Sequence, residues 1–250
     1  MKVVILAGGK GTRLSDFTNL IPKPMVKIGK KPIIINIIDH YLYFGFNEIY
    51  ISTGYKHQYI KNYFFKKKLN RKNIITKRNF VSFNFGNYKI NLVFTGINTS
   101  TAGRINKLKK FLHNEPFMFT YGDGLSNINL RKLYAYHFSH KKLLTVSAVR
   151  PPARFGELQL KNNLVKSFDE KPQLQKGWIN GGFFVANPDI FNFIKNNNQM
   201  LEREPIKKIA HNKQLKAFKH EGFWQCMDNL RDYQLLNNLN KLKKPPWKKF

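Results

Sequence analysis

The chain has 250 residues, 42% of them apolar, so we expect one large domain with a full core. No run approaches the roughly 18 apolar residues of a membrane span, and the single cysteine, Cys226, excludes an internal disulfide. Lys and Arg number 44 against 14 Asp and Glu, an excess typical of nucleic-acid-binding proteins, but the lysines form no stripe with aromatic residues. We therefore expect a cytoplasmic protein that binds anionic small molecules, with neither a membrane nor a nucleic acid as partner.

The first 65 residues predict alternating strands and helices. An apolar run over residues 3–6 predicts a buried strand, and residues 48–53 predict a second one. Apolar residues at helical spacing predict a helix that begins at Pro32 and ends before Gly45, and another helix over residues 59–64. This alternation is the pattern of parallel βαβ units.

The remainder predicts one α/β domain with a Rossmann-like, mostly parallel mixed sheet, a β-hairpin insertion and a C-terminal elaboration. Residues 81–94 alternate between apolar and polar around Gly86, which predicts the hairpin. A polar loop over residues 95–104 precedes a helix. Later strands are predicted at 117–121, 143–149, 157–160, 164–168, 178–185, 215–219 and 223–227, and later helices at 130–138, 188–195, 204–211 and from 230.

A glycine-rich loop follows the first predicted strand. Glycines allow backbone N–H groups to approach an anion, and Arg13 offers a fork of donors to a phosphate. Lys23 lies between two prolines that restrict the backbone on either side of it. We predict a triphosphate site, although the spacing fits neither the Walker nor the dinucleotide fingerprint, and the alternative is a tight strand-to-helix turn. The other loop residues are Gly8, Gly9, Lys10, Gly11 and Thr12.

Two aspartates follow apolar strands and are candidate metal ligands. Asp123 lies between two glycines after the strand at 117–121, and Asp228 follows the strand at 223–227. Ligands of open α/β sheets collect at the carboxyl ends of strands, and Mg²⁺ takes one or two protein carboxylates together with phosphate and water. The alternatives are an ordinary Gly-Asp-Gly turn for Asp123 and a helix N-cap for Asp228. We expect Asp232 to face solvent.

Four further residues are candidates for contact with a sugar or a phosphate. Glu170 and Lys171 place opposite charges side by side at a strand end, where the alternative is an exposed surface pair. Asn180 precedes two glycines inside an apolar strand, and glycines there often mark the close approach of a ligand. Arg104, at the start of a predicted helix, could meet an anion, or it could be a solvated helix residue.

Motifs along nearly the whole chain resemble those of the sugar-1-phosphate nucleotidylyltransferases. The later motifs are similar to the cytidylyl branch of that family. The motifs are AGGKGTRL at 7–14, PKPM at 22–25, FTYGDG at 119–124, RFG at 154–156, EKP at 170–172, INGGFFV at 179–185 and GFWQ at 222–225.

This resemblance implies Mg²⁺-dependent transfer of a cytidylyl group from CTP to α-D-glucose 1-phosphate, which yields CDP-glucose and pyrophosphate. It also implies a homo-oligomer that supplies deoxysugar synthesis for cell-surface polysaccharide such as O-antigen. The nucleotide would lie on the half formed by residues 1–125 and the sugar phosphate on the half formed by residues 126–250. The residues themselves leave two alternatives open: a thymidylyl- or uridylyltransferase, and a basic nucleic-acid-binding protein on an inactive scaffold.

The resemblance also implies roles for individual residues. Arg13 and Lys23 would be catalytic and would stabilise the leaving pyrophosphate, while Asp123 and Asp228 would hold the metal. Nucleotide contacts would come from Leu6, Ala7, Gly8, Gly9, Lys10, Gly11, Thr12, Arg13, Lys23, Thr99, Arg104 and Gly122. Sugar-phosphate contacts would come from Gly156, Glu170, Lys171 and Asn180.

Overall fold

A nine-stranded mixed sheet forms the centre of the protein in a computed structural model that describes residues 1–67, 73–151, 157–169 and 177–248. The strands are β1 (Lys2–Ala7), β2 (Lys27–Ile28), β3 (Lys31–Pro32), β4 (Glu48–Thr53), β5 (Ile74–Lys77), β6 (Phe80–Asn84), β7 (Lys89–Phe94), β8 (Phe117–Tyr121), β9 (Gly124–Ser126), β10 (Leu144–Val149), β11 (Glu157–Lys161), β12 (Leu164–Asp169), β13 (Ile179–Ala186), β14 (Leu215–His220) and β15 (Trp224–Cys226). The order in the large sheet is β14-β10-β13-β8-β1-β4-β7-β6-β5. β8, β1, β4 and β7 run parallel to one another, so their carboxyl ends share one edge.

Helices cover both faces of this sheet. They are α1 (Ser15–Thr18), α2 (Ile33–Tyr43), α3 (His57–Lys67), α4 (Thr101–Lys107), α5 (Lys109–Leu112), α6 (Leu130–His140), α7 (Glu204–His211) and α8 (Leu230–Asn240). Successive residues of a strand point to opposite faces, so Val3 and Ile5 pack with α2, α3 and α6, whereas Val4 and Leu6 pack with α4, α5 and α7. The sheet is therefore buried between two apolar layers, as its nearly continuous apolar strands require.

Three two-stranded pairs complete the described strands: β2 with β3, β11 with β12, and β9 with β15. The last pair matters for the site. Gly124 pairs with Cys226, and the backbone N–H of Met227 donates to the carbonyl of Asp123 at 2.9 Å. The segment after β15 is therefore held against the segment after β8, although about 100 residues separate them in the sequence.

The predicted fold class is confirmed, with differences at individual elements. The hairpin at 80–94 gains an additional edge strand, β5, and the predicted helix at 188–195 is a 3₁₀ helix over Pro188–Phe193. Helix α4 begins at Thr101, within the predicted polar loop. Its Gly103 packs directly against the backbone of Asn197, where a Cβ would collide. In the part of the chain that the structure describes, no helix is long and apolar enough to cross a membrane.

Candidate active site

A cavity of about 1240 Å³ lies at the carboxyl ends of β1 and β8. Most of the predicted site residues line it: Leu6, Ala7, Gly8, Gly9, Gly11, Arg13, Lys23, Thr99, Arg104, Gly122, Asp123, Asn180 and Asp228. Lys10 and Thr12 are exposed and do not line the cavity. Gly156, Glu170 and Lys171 lie outside the described residues. The structure thus brings residues from 6–23, Asp123 and Asp228 together at one edge of the sheet.

The glycine loop turns sharply after β1. Gly11 has a φ of +69°, a conformation that glycine adopts without the strain of a Cβ, and its carbonyl accepts hydrogen bonds from Leu14 N and from the Thr18 hydroxyl. A Cβ on Gly122, at the end of β8, would lie 2.9 Å from the carbonyl oxygen of Leu6. Because β1 and β8 approach so closely here, the glycine loop lies directly beside the segment that carries Asp123.

The central feature of the cavity is a cluster of four charged side chains. Lys23 Nζ lies 2.6 Å from Asp123 Oδ2 and 2.6 Å from Asp228 Oδ1, and Arg13 Nη1 lies 2.7 Å from Asp228 Oδ2. Lys23 is buried in a 3₁₀ turn, Lys23–Met25, that follows Pro22. Burial opposes the charge of Lys23, but the two carboxylates outweigh that effect and raise its pKa. The ammonium of Lys23 is therefore held between two carboxylates from distant parts of the chain.

The two aspartates fit a divalent cation. Their carboxylates already converge on one positive charge, next to the glycine loop, and Mg²⁺ is commonly bound by one or two carboxylates with phosphate oxygens completing its shell. Among the described residues, no group of three or more His, Cys, Asp or Glu side chains is placed to hold a metal ion by protein ligands alone. This donor set suits a metal that arrives with a phosphorylated substrate.

Arg104 lines the cavity, but it is buried and its guanidinium is bonded mainly to backbone carbonyls. Its guanidinium donates to the carbonyl of Gly8 at 2.8 Å, to the Thr95 hydroxyl at 2.7 Å, and to the carbonyls of Gly96 at 3.0 Å and Thr53 at 3.2 Å. Burial lowers its pKa to about 10. A Cβ on Gly8 would collide with this guanidinium. Arg104 therefore ties the glycine loop to the ends of β4 and β7, and its predicted contact with the nucleotide stays a prediction.

Asp232 is buried, so the prediction that it faces solvent is wrong. Its carboxylate accepts hydrogen bonds from the backbone N–H groups of Asp228 and Asn229 and from Gln225 Nε2. Asn229, not Asp228, is the N-cap of α8, and with Asp232 it forms a capping box. This arrangement leaves the Asp228 side chain available to the charged cluster.

Two further residues line the cavity that were not predicted from the sequence, Tyr121 and Glu202. The Tyr121 hydroxyl donates to Glu202 Oε1 at 2.6 Å and accepts from Asn180 Nδ2 at 3.2 Å. Gly182 has a φ of +79°, and a Cβ there would lie 2.6 Å from the Tyr121 ring. The glycine at this position therefore makes room for the Tyr121 side chain. The available signal for Glu202 was the scarcity of Asp and Glu in the sequence, which has 14 of them in all.

Comparisons with known proteins extend over the whole site. Residues 2–238 match the model of a family described as nucleotidyl transferase. Glucose-1-phosphate cytidylyltransferase of Salmonella typhimurium is 41% identical over 260 residues, which cover 99% of each chain. Mannose-1-phosphate guanylyltransferase catalytic subunit beta of Dictyostelium discoideum is 30% identical over 93% of this chain and 62% of its own. The crystal structure of HddC from Yersinia pseudotuberculosis complexed with GMP-PN has a TM-score of 0.72 at 25% identity, covering 96% of this chain and 99% of that chain.

Proposed function

The chain belongs to the nucleotidyl transferase family, and on that premise we propose that it transfers a cytidylyl group from CTP to α-D-glucose 1-phosphate, giving CDP-glucose and pyrophosphate. The observation that carries this proposal is the end-to-end identity with the Salmonella glucose-1-phosphate cytidylyltransferase. The guanylyltransferase relative is less similar and matches over a smaller part of its own length. CTP is therefore favoured over GTP as the nucleotide, and glucose 1-phosphate over mannose 1-phosphate as the acceptor.

The cavity supports this reaction because phosphoryl transfer needs positioning and charge stabilisation more than a protein nucleophile. The glycine loop would bind the triphosphate through its backbone N–H groups. Arg13 and Lys23 lie beside that loop, and they would stabilise the charge on the reacting phosphates and on the leaving pyrophosphate. Two N–H groups of the Lys23 ammonium face the carboxylates, so the third would donate to a phosphate.

Asp123 and Asp228 would hold Mg²⁺, which when bound supplies positive charge to the phosphates. The remaining proposed contacts follow the arrangement of the cavity. The nucleotide contacts would come from residues that line the cavity: Leu6, Ala7, Gly8, Gly9, Gly11, Thr99, Arg104 and Gly122. Lys10 and Thr12 do not line the cavity and are assigned to the nucleotide from their motif alone. Asn180 lies on the proposed sugar-phosphate side, to which Gly156, Glu170 and Lys171 are also assigned from their motifs. We further propose a cytoplasmic homo-oligomer that supplies CDP-glucose to deoxysugar synthesis.

The test is pyrophosphate release from the purified chain with glucose 1-phosphate, Mg²⁺ and each of CTP, UTP, dTTP and GTP. We expect CTP to be turned over with the highest kcat/KM. A clear preference for another nucleotide would contradict the cytidylyl assignment. No turnover with any of them, together with salt-sensitive binding to DNA or RNA, would favour a nucleic-acid-binding protein on an inactive scaffold.

The Asp123→Asn variant tests the site within this function. It keeps the shape of the side chain but removes its negative charge, so Mg²⁺-dependent turnover should be lost while the melting temperature stays close to that of the wild type. Asp39→Asn is the matched control, since Asp39 forms an exposed ion pair with Lys31. A near-normal rate in Asp123→Asn would remove this residue from the reaction.

A further inference from the structure

A chain of hydrogen bonds runs along one side of the cavity. The Thr101 hydroxyl donates to Glu202 Oε2 at 2.8 Å, and the Tyr121 hydroxyl donates to Glu202 Oε1 at 2.6 Å. Asn180 Nδ2 in turn donates to the Tyr121 hydroxyl at 3.2 Å. At its other end, Asn180 Oδ1 accepts from the backbone N–H of Gly182 at 2.8 Å. The chain links the start of α4, the loop before α7, the end of β8 and the start of β13.

The charge of Glu202 fixes which atom donates and which accepts in each of these hydrogen bonds. An ionised carboxylate only accepts hydrogen bonds, so the single hydroxyl proton of Tyr121 points to Glu202. The Tyr121 oxygen is then free to accept from Asn180, and the amide of Asn180 must present nitrogen to Tyr121 and oxygen to Gly182.

Glu202 is not explained as a member of an ion pair. Within the described part of the chain, the side-chain partners of Glu202 are the hydroxyls of Thr101 and Tyr121, and Glu202 forms no ion pair there. Both of these partners are uncharged donors, so within the described residues Glu202 orients hydroxyl groups rather than neutralising a cation. Its effect reaches the cavity through Tyr121 and Asn180.

We propose that Glu202 and Tyr121 are positioning residues that fix the carboxamide of Asn180, so that its second N–H faces the cavity as a donor. A donor at this place selects a ligand that presents an acceptor oxygen, such as an oxygen of the sugar phosphate. This inference rests on the proposed function, because it assigns the sugar phosphate as the ligand that Asn180 meets. It adds two residues, Glu202 and Tyr121, that act through Asn180.

The experiment measures KM and kcat for glucose 1-phosphate and for CTP in Glu202→Gln and Tyr121→Phe. Gln can donate as well as accept, so the donor and acceptor roles in the series of hydrogen bonds are no longer fixed. Phe removes the hydroxyl that connects Glu202 with Asn180. In both variants we expect KM for glucose 1-phosphate to rise about tenfold, while KM for CTP changes little. Glu204→Gln is the matched control, since Glu204 is an exposed carboxylate two residues further on whose ion pair is with Lys208 on the surface.

A double-variant comparison separates positioning from a general structural effect. If Glu202 acts through Asn180, then Glu202→Gln should add nothing to the rise in KM caused by Asn180→Ala. Additive effects, or an unchanged KM for glucose 1-phosphate in both single variants, would overturn the inference. If Glu202→Gln does not fold, Tyr121→Phe keeps the ring and gives the same reading. Absence of turnover in the wild type would overturn the proposed function and this inference with it, whereas wild-type turnover with unchanged variants overturns the inference alone.

Discussion

Replacement of Lys23 by methionine removes the ammonium from the charged cluster but keeps an unbranched side chain of similar length. Lys23 Nζ is 2.6 Å from an oxygen of Asp123 and 2.6 Å from an oxygen of Asp228, so those oxygens are at most about 5.2 Å apart. In the variant the two negative charges face each other across that gap. Arg13, 2.7 Å from Asp228, remains beside only one of them in the cluster described above.

The size of the effect follows from Coulomb's law. Two unit charges about 5 Å apart repel by about 3 kcal/mol at an effective dielectric constant of about 20. The side chains of Asp123 and Asp228 are 26% and 20% exposed, so screening by solvent lowers this to about 1.5 kcal/mol. A divalent cation relieves the repulsion, and in the wild type it must compete with the ammonium of Lys23. We therefore expect Lys23→Met to bind Mn²⁺ about tenfold more tightly in the absence of nucleotide, although its turnover falls.

The assay is a calorimetric or paramagnetic-resonance titration of the nucleotide-free protein with Mn²⁺. Lys10→Met is the control, because Lys10 is an exposed lysine of the same glycine loop and does not line the cavity. Its Mn²⁺ affinity should equal that of the wild type. An Mn²⁺ affinity in Lys23→Met that is equal to or weaker than that of the wild type would refute competition between the ammonium and the metal.

Two further predictions concern stability. Arg104→Lys should lower the free energy of unfolding by about 2 kcal/mol, because an ammonium cannot replace the guanidinium fork that satisfies the carbonyls of Gly8 and Thr53. The measurement is urea denaturation, with Arg131→Lys as the surface control. A curve for Arg104→Lys equal to that of the wild type would contradict the prediction. Burial lowers the pKa of His40 to about 4, below its ordinary value of 6.5, so the unfolded state takes up the proton at a higher pH than the folded state. The free energy of unfolding therefore falls as the pH drops from about 6.5 to about 4, and His40 accounts for up to about 3 kcal/mol of that loss. His40→Gln should lose less stability than the wild type between pH 7 and pH 4.5, and parallel losses would show that His40 is not responsible.

The sequence predicted the place of the cluster but not its connections. Apolar runs that end in glycine or aspartate, combined with the shared carboxyl edge of parallel strands, brought the glycine loop and Asp123 together correctly. The contact of Lys23 with both carboxylates could not be predicted, because it depends on the direction of a 3₁₀ turn and on partners 100 and 205 residues away. Sequence spacing carries no information about such distances.

Polar residues whose partners are backbone groups were the hardest to predict. Arg104 and Asp232 have the sequence surroundings of solvated helix residues, yet both are buried and bonded to main-chain atoms. Glu202 lies in a charged stretch, and its partners Thr101 and Tyr121 come from other elements. Local patterns report periodicity and turns, whereas these side chains are placed by tertiary contacts between segments.

The pairing of β9 with β15 sets the order in which the site can be completed during protein synthesis. The glycine loop, Lys23 and Asp123 are all synthesised by residue 123. The strand that holds the segment of Asp123 comes only at Trp224–Cys226, followed by Asp228. A product that terminates before residue 224 has one carboxylate without its neighbouring strand and lacks the second altogether. Every molecule in which Lys23 bridges two aspartates has therefore been translated at least as far as residue 228.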